Sequence, residues 1–254
     1  MKTTQLEKTL NKEQKKMAKE MAEAGVFFGH SKSKKDPRMD PYISTLRGGV
    51  YIIDLVSSVK KLEKALDFMK TIIENNGVIL FISTQPQIKE TVKEIAKKCH
   101  MPYVTERWLG GTLTNFQTIH ERIEHLRNLE QEKKAGELEK YTKKEQMLFN
   151  EEIKKLNRKI GGIKALDKLP DALFVLSVKK NQGAVKEAKK EKIPVMGLVD
   201  TNANPLELGY PIPANDDGIS SLKLILEKVE KTIIENKPKI KKEKTKKDDK
   251  GKSS

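Results

Sequence analysis

Arg107 and Trp108 stand side by side in RWLGGTLTNF, residues 107–116, and the chain has no other tryptophan. A guanidinium pairs with a phosphate through two parallel hydrogen bonds, while an indole can stack on a base or fill a core. Gly110 and Gly111 suit a tight turn, and Thr114 and Asn115 carry the oxygens that cap a helix starting just behind them. Core packing is the favoured role for Trp108; for Arg107, phosphate binding and a structural ion pair both remain open. A second group lies in GVFFGHSKSKKDPRMDPYI, residues 25–43, where Lys32, Lys34, Lys35 and Arg38 occupy a segment rich in Ser and Pro. A flexible loop of that kind can offer several cations to phosphates, although a charge run also serves as solvated surface. Tyr42 with Arg47 adds a stacking and phosphate-contact edge, and His30 fits a hydrogen-bonded structural histidine better than a metal ligand.

Carboxylates form the third group. Asp200 and Asn202 lie in VDTNANP (199–205), and Asn215, Asp216 and Asp217 in YPIPANDDGISS (210–221). Paired carboxylates bind magnesium or transfer protons, but the same side chains also fix loops and cap helices. Asn215 or Asp216 precedes a final helix, so Asp200, Asn202, Asn215 and Asp216 are read as structural; Asp54, after GVYIIDL (49–55), is likewise a cap or loop residue. The phosphate-loop pattern GxxxxGK[ST] is missing, as is GxGxxG after the first strand. Cys99–His100 has no second cysteine for a zinc knuckle. No nucleophilic triad can be picked out, so no catalytic residue, metal or cofactor is expected.

The elements that must position these groups follow from periodicity. In 254 residues, 36% are hydrophobic and 51 Lys and Arg stand against 36 acidic residues, a net charge of +15. That excess favours polyanionic partners and disfavours acidic ones. One cysteine fits a reducing compartment. No apolar run approaches the length of a membrane span, and the lysine-rich start lacks a hydrophobic signal segment. Apolar runs at 49–55, 78–83, 172–178 and 193–199 read as buried strands, with a weaker one around 102–105. Helical faces fall between them: Val59, Leu62, Leu66, Met69 and Ile73; residues 86–98; residues 181–191; and a last one from Ile219 to Ile233. This rhythm predicts an α/β fold with a mostly parallel sheet flanked by helices.

Residues 114–160 break the rhythm. Phe116, Ile119, Ile123, Leu126 and Leu129 form one stripe, and Leu148, Ile153, Leu156 and Ile160 another. Their pairing predicts a projecting helical hairpin, with helices lying over the sheet as the alternative. The expected organisation is a basic N-terminal helix or extension over 1–20, an α/β domain over 21–113 and 161–236, the hairpin inserted at 114–160, and a disordered lysine-rich tail over 237–254. That tail holds nine lysines and three acidic residues. Too little of it is apolar to offset the entropy of ordering. Lys237, Lys239, Lys241 and Lys242 join the RNA-binding candidates Lys32, Lys34, Lys35, Arg38, Arg47 and Arg107.

Taken together, GVFFGH, DPRMDPYI, GVYIIDL, RWLGGTLTNFQTI, GGIKALDKLPDALFVLSV, IPVMGLVDTNANP and YPIPANDDGISS resemble, in this order, the bacterial small-subunit ribosomal protein S2 family. The resemblance spans nearly all of residues 18–235. It implies a non-enzymatic component of the ribosome in the cytoplasm, an α/β domain with a coiled-coil hairpin, and no stand-alone homo-oligomer or membrane association. The partners it implies are small-subunit ribosomal RNA, neighbouring small-subunit proteins and, in many bacteria, ribosomal protein S1. Lys35 and Asp36 replace the tryptophan and asparagine usual in the family, and Arg38 its usual lysine. Ser177 and Asn204 stand where aspartates are frequent, which weakens any metal cluster.

Overall fold

The computed structural model describes residues 10–237. Helix α1 (Lys12–Glu23) starts at a reciprocal capping box: the Asn11 side chain accepts from the Gln14 amide, and Gln14 returns the bond. Three short strands follow, β1 (Phe28–Ser31), β2 (Ile43–Arg47) and β3 (Val50–Ile53), paired antiparallel in the order β1-β3-β2. Helix α2 (Leu55–Glu74) is capped by Asp54, whose carboxylate accepts from the amides of Val56 and Ser57. Beyond it come β4 (Ile79–Ile82), α3 (Lys89–Lys98), β5 (Tyr103–Val104), α4 (Phe116–Lys134), α5 (Lys143–Ile160), β6 (Ala172–Val175), α6 (Gln182–Lys190), β7 (Val195–Val199), β8 (Tyr210–Pro213) and α7 (Ile219–Asn236).

Strands β5-β4-β6-β7-β8 form a five-stranded sheet in which every neighbouring pair is parallel. Alternate side chains on these strands enter two different cores, as a strand's two-residue period requires. Ile79, Phe81, Ala172 and Phe174 join the cluster built with α1, α2, α3 and α7. Leu80, Ile82, Leu173 and Val175 join the cluster built with α4, α5 and α6. Both faces are therefore covered, which explains why these strands read as unbroken apolar runs.

The expectation of a mostly parallel sheet holds for these five strands, but the 49–55 run is not among them. It becomes β3, the middle strand of the separate antiparallel sheet, so the protein carries both kinds of pairing. The antiparallel sheet is tied to the carboxyl edge of the parallel one: the Thr201 hydroxyl accepts from the His30 amide at 2.8 Å, and the Val26 carbonyl accepts from Asn215 at 2.9 Å. Gly29 permits that approach, because a Cβ there would stand 2.5 Å from the Thr201 methyl.

Helices α4 and α5 pair through Ile119, Ile123, Leu126 and Leu129 on one side and Ile153 and Ile160 on the other. Polar rungs cross the pair, from Asn157 to Glu130 at 2.7 Å and from His125 to Glu152 at 3.0 Å. The buried stripe is part of the sheet's own cluster, and Leu148 is 55% exposed, so the packing does not identify a coiled coil. Of the lysine-rich tail, only Lys237 is described; it ends α7 half-buried, while Lys239, Lys241 and Lys242 lie outside the described residues.

Phe174 is fully buried and meets Phe81 edge to face at 5.5 Å. Phe174→Ala should therefore cost about 3–5 kcal/mol of unfolding free energy, read as a lower urea midpoint. Phe28→Ala, at a ring 49% exposed, should cost far less, and equal losses would contradict this assignment of the core.

Candidate nucleic-acid interface

The RWLGG segment links β5 to α4, and a single carboxylate on α6 holds it. Glu187 Oε1 accepts from the Trp108 indole nitrogen and from the Gly111 amide, both at 2.9 Å. Its Oε2 accepts from the amides of Leu113 at 3.0 Å and Thr114 at 3.4 Å, and from the Thr114 hydroxyl at 3.5 Å. Gly111 adopts φ +85°, a left-handed conformation that suits glycine, and so lets the chain curl around the carboxylate. Gly110 has no such requirement. Asn115 sits at the start of α4, yet its oxygen accepts from the Thr118 hydroxyl, so neither it nor Thr114 caps the helix through a side chain as expected.

Trp108 is half-buried: it packs against the core cluster shared with α4, α5 and α6, as the sequence reading favours, and its indole nitrogen is satisfied by Glu187. Arg107 is exposed and has no ion-pair partner among the described residues, so the structural-pair option has no support. Beside them a cavity of about 540 Å³ is lined by Arg107 and Trp108 on the turn and by Lys155, Arg158 and Lys159 on α5. Glu106 is the acidic residue in that lining; it also pairs with Lys89 on α3, and Arg158 lies 3.8 Å from it. Sequence reasoning did not single out the three α5 cations. Their signal was the spacing 155, 158, 159, which places them on one helical face. Glu187 was missed too, because KEAKK reads as solvated charge.

The 30–38 segment is not a flexible loop. It forms two 3-10 turns, Lys32–Lys34 and Pro37–Tyr42, the second capped by the Asp36 carboxylate accepting from the Arg38 amide at 2.9 Å. Lys35 is taken up by Asp40 and by the ring of Tyr51, 5.2 Å away, and Arg38 Nε lies 3.7 Å from Asp36. Lys32, Lys34 and Arg47 are exposed and form no ion pair among the described residues. Tyr42 and Arg47 do not form one edge, since they stand at opposite ends of β2 and Lys61 covers the Tyr42 ring.

The carboxylates do meet, at the carboxyl edge of the parallel sheet. His30 Nδ1 lies 3.1 Å from Asp200 Oδ2, and His30 Nε2 lies 3.3 Å from Asp217 Oδ2. Asp216 accepts from the Ser177 hydroxyl at 2.6 Å, and Lys180 donates to Asp217 at 2.7 Å. Asn215 fixes the turn before α7 by accepting from the amides of Asp217 and Gly218, whereas Asp216 caps nothing. Asn202 is half-buried, and its oxygen has no hydrogen-bond partner among the described residues. Hydrogen bonding to Asp200 raises the His30 pKa above 6.5 against the effect of burial, and burial pushes Asp216 up to about 6 despite Ser177. His30, Asp216 and Asp217 bring one ligand atom each within 4.8 Å of one another, close enough to share a cation. All three already have partners within the protein, so the cluster is read as a polar knot joining the two sheets. Cys99 is buried, and burial pushes its thiol up to about 11, which makes it inert.

The parallel sheet covered by helices on both faces, the exposed cations on its turns and the polar knot at its carboxyl edge define an α/β protein of doubly wound type. The family model described as ribosomal protein S2 matches residues 21–236, and the chain belongs to that family. Its members are structural, non-catalytic proteins with a general role in small-subunit assembly and translation. No helix among the described residues is long and apolar enough to cross a membrane.

Burial alone would push the Glu187 carboxyl upward, but hydrogen bonds from Leu113, Trp108, Gly111 and Thr114 outweigh it and hold the pKa below 4.5. A depressed folded-state value contributes stability above the unfolded pKa, and this is lost as pH falls through the folded one. Glu187→Gln should therefore be less stable than the parent at pH 7, with the gap closing below about pH 4. Thermal unfolding of both proteins across pH 3–7 checks this, and a constant gap would contradict it.

Proposed function

We propose that this protein is a structural component of the small ribosomal subunit that binds ribosomal RNA and neighbouring ribosomal proteins in the cytoplasm, without chemical turnover. The observation that carries this reading is the set of exposed cations without ion pairs on ordered turns: Lys32 and Lys34 on a 3-10 turn, Arg47 at the β2–β3 hairpin, and Arg107 on the segment held by Glu187. Cations presented this way reach phosphates with little ordering cost, whereas Lys35 and Arg38 are already paired and serve the turn itself. Family membership supports ribosomal RNA and ribosomal proteins as the partners. The α4–α5 pair, with residues 114–160 as its extent, acts in this reading as a projecting coiled-coil arm. The segments 21–113 and 161–236 form the α/β domain that carries it, residues 1–20 a basic N-terminal helix or extension of which most of α1 is the described part, and the lysines beyond Lys237 a further RNA-attracting tail. Ribosomal protein S1 is among the protein partners in this reading.

Releasing counterions from RNA makes binding weaken with salt, with a logarithmic slope of roughly one for each phosphate that the protein neutralises. The combined variant Lys32→Ala, Lys34→Ala, Arg47→Ala should bind small-subunit ribosomal RNA more weakly at low salt, with a shallower slope by about two to three. The pair Lys35→Ala, Arg38→Ala should lower stability more than it changes that slope. Filter binding at several salt concentrations measures both, and an unchanged slope in the first variant would refute the assignment of those three cations.

A further inference from the structure

The cavity beside Trp108 combines features that a general basic surface does not need. Its volume of about 540 Å³ falls within the roughly 300–1,000 Å³ typical of small-molecule sites. Cations arrive from two independent elements, Arg107 from the turn and Lys155, Arg158 and Lys159 from α5; Lys155 lies 3.7 Å from Glu151 and Arg158 3.8 Å from Glu106, long contacts that a phosphate would have to compete with. Between them stands an aromatic ring that packs against the core cluster of Leu80 and Val175 and is bonded at its polar edge. The indole nitrogen is bonded to Glu187, and the Trp108 Cδ1 edge lies against Gly183, where a Cβ would come within 3.4 Å. With the pyrrole edge pinned, the ring also borders a second cavity lined by Pro86, Lys89 and Lys180. The ring is thus shared by the linings of two cavities.

We infer that this groove takes one unpaired nucleotide of RNA, with the base stacked on Trp108 and the phosphates held by Arg107, Lys155, Arg158 and Lys159. The inference rests on the RNA-binding reading and adds the form of the ligand. A paired base within an A-form helix does not expose its face, whereas an unpaired one does and can stack on an aromatic side chain. A bare polyanion would use the cations and leave the ring idle. A protein segment is a poorer occupant, because every nucleotide brings an anion and a planar base together, whereas an acidic side chain brings only the charge.

Trp108 is the chain's single tryptophan, so its fluorescence reports this contact without a label. The full-length protein is titrated with a single-stranded hexa-adenylate, with an RNA duplex of the same length, and with inorganic polyphosphate. The single strand should quench the emission saturably, and the other two should leave it nearly unchanged. Lys155→Glu with Arg158→Glu alters two largely exposed side chains, 75% and 78% open to solvent, and should raise the quenching midpoint about tenfold or more. Circular dichroism confirms the fold of that variant, and Lys159→Glu alone provides an independent check. Equal quenching by polyphosphate would overturn the stacking. Absence of quenching, with long ribosomal RNA still bound on filters, would overturn the nucleotide site and leave the RNA-binding reading standing. Loss of both would remove the two together.

Discussion

The turn that carries Arg107 and Trp108 depends on the half-buried carboxylate of Glu187. It gathers the indole of Trp108 and the amides of Gly111, Leu113 and Thr114, donors that lie 73 to 79 residues earlier in the chain. Without it, the turn between β5 and α4 would carry unsatisfied amides against α6. A negative charge thus holds the turn that presents Arg107. Burial opposes the ionised form, but four donors outweigh it.

The carboxyl edge of the parallel sheet is organised on a related principle. Loops following β6, β7 and β8 bring Ser177, Asp200, Asp216 and Asp217 together, and His30 enters from the antiparallel sheet to meet two of the acids. In many doubly wound folds this edge binds a ligand. Here the polar groups are engaged largely with one another and in anchoring β1 through Thr201. The edge therefore joins two sheets, while the surface that faces outward is built from cations on ordered turns.

Much of the fold was legible because burial on both faces writes continuous apolar runs. β4, β6 and β7 were visible for that reason, as were the three-and-four spacings of α2 and α7. β1 and β2 were not, because four- and five-residue strands with exposed or half-buried positions resemble loops. β8 reads as a turn since it contains Pro211 and Pro213, which an edge strand tolerates. The stripes of α4 and α5 were read correctly at their apolar cores, but Leu148 shows that spacing alone does not say where a stripe leaves the interior. At the site, sequence identified Arg107 and Trp108 by type. It could not reveal that Lys35 and Arg38 are paired or that Glu187 supports the turn, since both depend on contacts made only after folding.

The most direct test of an integral, RNA-supported role is whether the native protein remains with small ribosomal subunits on a gradient after a high-salt wash. Folded turns and a shaped groove predict that it stays with the small-subunit peak at a constant ratio to the RNA. Full release to the top of the gradient, or no co-migration even at moderate salt, would contradict the account.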